Sequence, residues 1–241
     1  MKIGLIPAKC VNGDIKHNAN QIIKFIEIAS KNNIECIFFG ESFLQGFNSL
    51  NWDFTHDIRN ALEKEDKIII NILNTAKQFN IGVGFGYFEL DDDAIYSSYL
   101  VASNDGAQTV NYRRLSKGWK EFLITDQHYR EGKQMEHFFI KGRKFTIALC
   151  GDLWDEETIN LFTNNEIHKS IIIWPVHVDF SLEEWNKELR NYHEQALKFS
   201  GQVLMINNIM PPSTHGGAFE FQKDYIDSVE FGKEDILVIE I

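Results

Sequence analysis

The sequence predicts an α/β protein built on a mixed sheet, or on two sheets packed together with helices outside. Three features predict it. The N-terminal third alternates short apolar runs with amphipathic periods, a β-α-β-α opening that implies neighbouring parallel strands. The middle reads as strands joined by polar turns, which calls for antiparallel pairing. The remainder returns to short buried strands separated by a long amphipathic helix.

Residues 2–8 alternate into a strand, and residues 18–33 place Ile22, Phe25, Ile26 and Ala29 on one helical face. The run IECIFF at 34–39 reads as a buried strand. A second helix follows, with Ala61, Leu62, Ile68, Ile69, Ile72, Leu73, Ala76 and Phe79 at helical spacing. Strands at 81–87, 95–102 and 109–113 are joined by LDDDA and SNDGA, where Asp105 and Gly106 form a hairpin turn signal. Short buried strands recur at 145–149 and 170–175. Over 181–200, Ser181 and Glu184 make a capping box, and Leu182, Trp185, Leu189, Tyr192 and Ala196 line the apolar stripe. Strands at 203–207, 217–221 and 236–241 close the chain. With four prolines in 241 residues and no linker composition, residues 1–241 read as one domain.

Lys plus Arg number 24 against 35 Asp plus Glu, a net charge of −11. Such a surface repels phosphate backbones and anionic lipid, so neither nucleic acid nor a membrane is the expected partner. Cys10, Cys36 and Cys150 form no CxxC pair, as expected of reduced thiols in a cytoplasmic protein. No HExxH or Cys/His cluster calls for a metal. GVGFGYF has the wrong spacing for a dinucleotide loop, and no cofactor is expected; close sheet packing explains its alternating glycines.

Cys150 ends the strand FTIAL and precedes Gly151, the placement of a nucleophile on a tight strand-to-helix turn. A backbone N–H there, that of Gly151, can help hold an oxyanion, and the helix start is expected to lower the thiol pKa. Glu41 follows six residues of buried strand, where a carboxylate is costly unless paired or used. Arg113 and Arg114 end a third strand. If these exits converge, a thiol, a base and a cation meet in one cleft.

The segments in order resemble the nitrilase, or carbon–nitrogen hydrolase, superfamily. IECIFFGESFLQGF is similar to its Glu-x-x-x-x-Gly-aromatic motif at Glu41, Gly46 and Phe47. The stretch ending YRR resembles its hairpin region, and FTIALCGDLWDEE resembles its nucleophile motif, with Cys150, Asp152 and Glu157 in place. IIIWPVHV, VLMINN and HGGAFEF match later strands. The resemblance implies a four-layer α-β-β-α sandwich with two mixed sheets and a Glu-Lys-Cys triad acting on a small amide or ureido substrate. It also implies a homodimer and a chain lacking the family's C-terminal extension. In the triad, Cys150 would be nucleophile and Glu41 acid/base.

The lysine place, two residues after Tyr112, is held by Arg114, with Lys117 as the alternative cation and Lys120 behind it. For the family's second glutamate, Asp126 fits best and Glu121 is the alternative. The proline usual before the first glutamate is Gly40. Trp154 and His177 are candidates for touching substrate. Two functions stay open: a carbon–nitrogen hydrolase, and a catalytically silent binding or regulatory protein of the same fold, suggested by Arg114.

Overall fold

The computed structural model describes all 241 residues. Its first half runs β1 (Lys2–Leu5), α1 (Ile15–Lys31), β2 (Cys36–Phe38), α2 (Phe54–Asp57), α3 (Lys67–Phe79), β3 (Gly82–Asp91), β4 (Ala94–Ala102) and β5 (Gln108–Arg113). The second runs β6 (His137–Ile140), β7 (Arg143–Ile147), α4 (Glu156–Asn164), β8 (Ile171–Val176), α5 (Leu182–Leu197) and β9 (Gln202–Asn207). Five short strands follow: β10 (Ile209–Met210), β11 (Thr214–His215), β12 (Ala218–Gln222), β13 (Tyr225–Val229) and β14 (Leu237–Glu240).

One six-stranded sheet has the order β14-β1-β2-β3-β4-β5, the other β13-β12-β9-β8-β7-β6. Each centres on three parallel strands, β1-β2-β3 and β7-β8-β9, with antiparallel partners outside. The sheets face each other across one core, where Leu5, Phe38, Tyr99 and Tyr112 meet Phe145, Leu149, Ile173 and Leu204. A second core seals α1 and α3 onto the first sheet through Ile22, Ile26, Ile72 and Phe85. A third, with Trp174, Trp185, Ala196 and Phe219, seals α4 and α5 onto the other. The result is the four-layer α-β-β-α sandwich with two mixed sheets.

Two boundaries differ from the sequence pattern for local reasons. Helix α1 starts earlier because Asp14 accepts the His17 N–H and caps it. Helix α3 starts later, capped by Asp66, so Ala61 and Leu62 are outside it. Leu62 instead pairs along β3, donating its N–H to the Phe88 carbonyl and accepting from the Leu90 N–H. Strands β6 and β13 escaped the periodicity because they lie at sheet edges with mixed exposure. Cys10 and Cys36 are buried packing thiols in two different cores. No helix is long and apolar enough to cross a membrane.

Candidate active site

Three strand exits meet between the sheets. Strand β2 delivers Glu41, which is fully buried. The Asn208 side chain, just past β9, clamps that exit: its Oδ1 accepts the Gly40 N–H at 3.0 Å and its Nδ2 donates to the Glu41 carbonyl at 2.7 Å. A proline at position 40 would have no N–H to give, so glycine suits this clamp. On the other side a Cβ at Gly86 would lie 2.3 Å from the Ser42 nitrogen, so only glycine lets β3 pass so close to the Glu41 backbone.

Strand β5 ends by sending its two arginines apart. Arg113 forks onto Glu89 through Nε and Nη2, both at 2.8 Å, reaches Asp91 at 2.7 Å and covers the Tyr96 ring. Arg114 turns inward and is 3% exposed. Its Nη1 donates to Glu41 Oε1 at 2.9 Å and its Nε to Ser116 Oγ at 2.8 Å. Burial works against the guanidinium's charge, but the carboxylates of Glu41 and Asp152 outweigh it and hold Arg114 protonated. Ser97 Oγ also donates to Glu41 Oε1, at 3.1 Å. Glu41 Oε2 is buried and has no protein partner.

Strand β7 leads to Cys150, whose φ of +40° marks a strained turn for a side-chain-bearing residue. The Trp174 indole N–H donates to the Cys150 carbonyl at 2.9 Å, and the thiol points to the His177 carbonyl at 3.8 Å. Gly151 is needed where it stands, because a Cβ there would be 2.5 Å from Arg114 Nη2 and 3.0 Å from Ser116 Oγ.

Asp152 ties these exits together. Its Oδ1 accepts the N–H groups of Leu115 and Ser116 at 3.1 and 2.8 Å; its Oδ2 accepts the Leu149 N–H at 2.9 Å and the Tyr112 hydroxyl at 2.5 Å. The Cys150 turn and the Arg114 segment are thereby fixed to one carboxylate. Burial pushes the Asp152 carboxyl above its usual range despite Arg114 and these donors.

The expectation of an acidified thiol is overturned. Burial, then the charge of Glu41, push Cys150 up to about 12, and Arg114 recovers only part of that. The turn at Cys150–Leu153 is a single 3₁₀ turn, too short to supply a strong helix field. A resting thiol is the consequence. Iodoacetamide should modify Cys150 at pH 7 more slowly than it modifies free cysteine, with the rate climbing as pH rises toward about 12. A rate plateau near neutral pH, read by intact mass, contradicts this.

The other sequence candidates divide. His177 stacks on Phe47 at 4.1 Å between centroids, and its Nδ1 is buried without a partner. Burial holds the ring down to about 4, with Asp179 opposing and Arg114 assisting, so it is neutral at pH 7. Trp154 packs 6.3 Å from Trp174, the indole that grips Cys150. Lys117 is not brought to Glu41. It is exposed and lines a surface hollow with Lys133, Asp155 and Glu157. Lys120 is held by the Tyr129 carbonyl and Glu131. Asp126 is exposed and binds His128 of its own loop, and Glu121 is exposed as well. That segment satisfies its polar groups locally, which holds these side chains outside. Ser97, Ser116 and Asn208 went unnoticed in the sequence; the signal available was two adjacent serines inside an otherwise apolar strand at 95–102. No group of three or more His, Cys, Asp or Glu side chains is placed to hold a metal ion.

Comparison with known proteins agrees with this architecture. A nitrilase from Meyerozyma guilliermondii is 23% identical over 214 residues, 84% of this chain and 68% of that protein. Among solved structures, the glutamine-dependent NAD+ synthetase of Acinetobacter baumannii superposes with a TM-score of 0.80 at 17% identity, covering 98% of this chain. This chain spans only 44% of that longer one. The amidase of Nesterenkonia sp. AN1, with acrylamide added at its active-site cysteine, gives a TM-score of 0.78 at 12% identity, covering 100% of this chain and 93% of the amidase. The two superpositions show a shared fold. The carbon–nitrogen hydrolase family model matches residues 2–190, and the chain belongs to that family, within the nitrilase superfamily.

Proposed function

We propose that this chain hydrolyses the non-peptide carbon–nitrogen bond of a small amide or ureido substrate through a thioester on Cys150. Glu41 Oε2 carries the reading: a buried carboxylate oxygen without a protein partner, beside a protonated thiol, is a base awaiting its proton. As the substrate carbonyl is attacked, the Sγ proton passes to Glu41 and a carbon–sulfur bond forms. The oxyanion is held by Arg114 Nη2 and the Gly151 N–H. Collapse breaks the carbon–nitrogen bond, and the nitrogen leaves with the proton from Glu41. Water, deprotonated by Glu41, then cleaves the thioester and restores the thiol.

Arg114 serves as the cation in this scheme. It keeps the charge of a lysine but gives no proton, so proton traffic falls to Glu41 alone. Intact mass after incubation with a panel of small amides should show an acyl adduct that Cys150→Ala abolishes, with ammonia released. Absence of both adduct and ammonia across the panel would leave the silent binding or regulatory protein as the function. The proposal includes a homodimer; a sedimentation mass near the 28.0 kDa of one chain removes that part.

A further inference from the structure

Strand β4 carries two consecutive buried serines, a costly choice unless each hydroxyl has a partner. Each has one, and the partners lie on opposite faces of the first sheet. Ser97 faces the other sheet, as Tyr99 and Val101 further along β4 do. Its hydroxyl donates to Glu41 Oε1 at 3.1 Å. Its carbonyl accepts the Arg114 N–H at 2.8 Å, and Arg114 Nη1 returns to the same Glu41 oxygen at 2.9 Å. One serine thus holds the carboxylate through its side chain and the cation through its backbone. All three residues are at most 3% exposed.

Ser98 makes the counterpart on the outer face. Its hydroxyl donates to Glu89 Oε2 at 2.6 Å, the oxygen that also accepts Arg113 Nε at 2.8 Å. Ser98 and Arg113 are partners in the β4–β5 register. Two adjacent serines and two adjacent arginines therefore build two serine–arginine–glutamate clusters, back to back through the sheet. Only the inner one contains Glu41.

Ser97 reaches Glu41 across an intervening strand, because β3 lies between β2 and β4. Glycines at 84 and 86 clear the crossing. A Cβ at Gly86 would lie 2.8 Å from the Gly40 carbonyl oxygen, and one at Gly84 would lie 3.0 Å from the Tyr99 ring. Tyr99 uses the same gap to donate its hydroxyl to the Phe39 carbonyl at 2.7 Å. Strand β4 thus fixes the β2 exit at two points, a backbone carbonyl and the carboxylate.

The two carboxylate oxygens are treated unequally. Oε1 takes both donors and Oε2 takes none. The terminal torsion of a glutamate is broad, so one donor leaves its carboxylate free to turn. Two donors from different strands fix its plane. We propose that Ser97 is a positioning residue for proton transfer, its hydroxyl keeping Oε1 on Arg114 so that Oε2 is the oxygen offered to the thiol proton. The Cys150 proton moves to Oε2 as the carbon–sulfur bond forms, and Ser97 itself gains and loses none. The kinetic consequence rests on the hydrolase reading; the placement of the carboxylate does not.

Ser97→Ala and Ser98→Ala are matched tests, since each removes one buried hydroxyl from one buried carboxylate. In Ser97→Ala, kcat for amide hydrolysis should fall about ten- to hundredfold, with KM within about twofold of the parent. Ser98→Ala should keep both constants, and melting temperatures check that both variants are folded. Crystal structures of the two read the placement without turnover. The Glu41 carboxylate should be turned, or split between two conformers, in Ser97→Ala and unmoved in Ser98→Ala. If the parent hydrolyses no amide while Glu41 turns in Ser97→Ala, the hydrolase reading fails and the positioning role stands. An unmoved Glu41 in Ser97→Ala overturns the role, as does a kcat in that variant no lower than in Ser98→Ala.

Discussion

Glu41→Gln should lower amide turnover by about 10²- to 10⁴-fold, the range of a lost general acid/base. It should also destabilise the protein, since Arg114 is left as a buried cation without its partner charge. Breaking such a pair costs about 3–5 kcal/mol. The glutamine oxygen can still accept from Ser97 and Arg114, so a value of about 3 kcal/mol is expected, or about 6–12 °C in Tm for a chain of this length. Cys150→Ala separates the two effects. It removes turnover as completely but leaves the Arg114–Glu41 pair intact, so its Tm should stay within a few degrees of the parent. Ammonia release and differential scanning fluorimetry on both variants decide. A Glu41→Gln protein that turns over normally removes the base assignment, and one that melts unchanged removes the energetic account of the ion pair.

Asp152→Ala should be the most destabilising single change in the site. It strands three backbone N–H groups and the Tyr112 hydroxyl inside the sandwich. Each unsatisfied buried donor costs about 1–3 kcal/mol, so a loss of at least about 4 kcal/mol is expected. Asn at this place is not a conservative rescue. Both oxygens of Asp152 accept from backbone N–H, so an amide group in either flip points an N–H at another N–H. Asp152→Asn should therefore also unfold more easily in urea than the parent. Its turnover should fall as well, because the Cys150 turn and the Arg114 segment lose their common anchor. A stable, active Asp152→Asn would show that the anchor is dispensable.

Much of this architecture was legible along the chain. Glu41 and Cys150 each follow a short apolar strand and Arg114 follows a mixed one, and strand exits are where an α/β sandwich gathers its polar groups. The place of Gly151 was legible too, although not its reason, which is an Arg114 nitrogen that no Cβ could clear. Lys117 and Asp126 could not be placed from sequence. Their loop is aperiodic, and its path depends on the aromatic packing of Trp119 and Tyr129 against Phe88 and Trp52. The sequence points the thiol pKa downward, whereas the structure raises it. The turn was visible in sequence, but the depth of burial and the nearness of Glu41 were not.

The alternation of strands and helices, the reagents at the strand ends and the family resemblance are all written along the chain. Those properties are local or colinear, written in apolar period, turn chemistry and motif order. Folding in three dimensions sets which arginine enters the site, buries Glu41 completely while leaving Cys150 half-buried, and fixes what charge surrounds them. Arg113 and Arg114 are neighbours in sequence, yet one forks across β4 onto Glu89 of β3 and the other spans to Glu41 just past β2. Such outcomes depend on pairing distances and desolvation, quantities set only when distant segments come together.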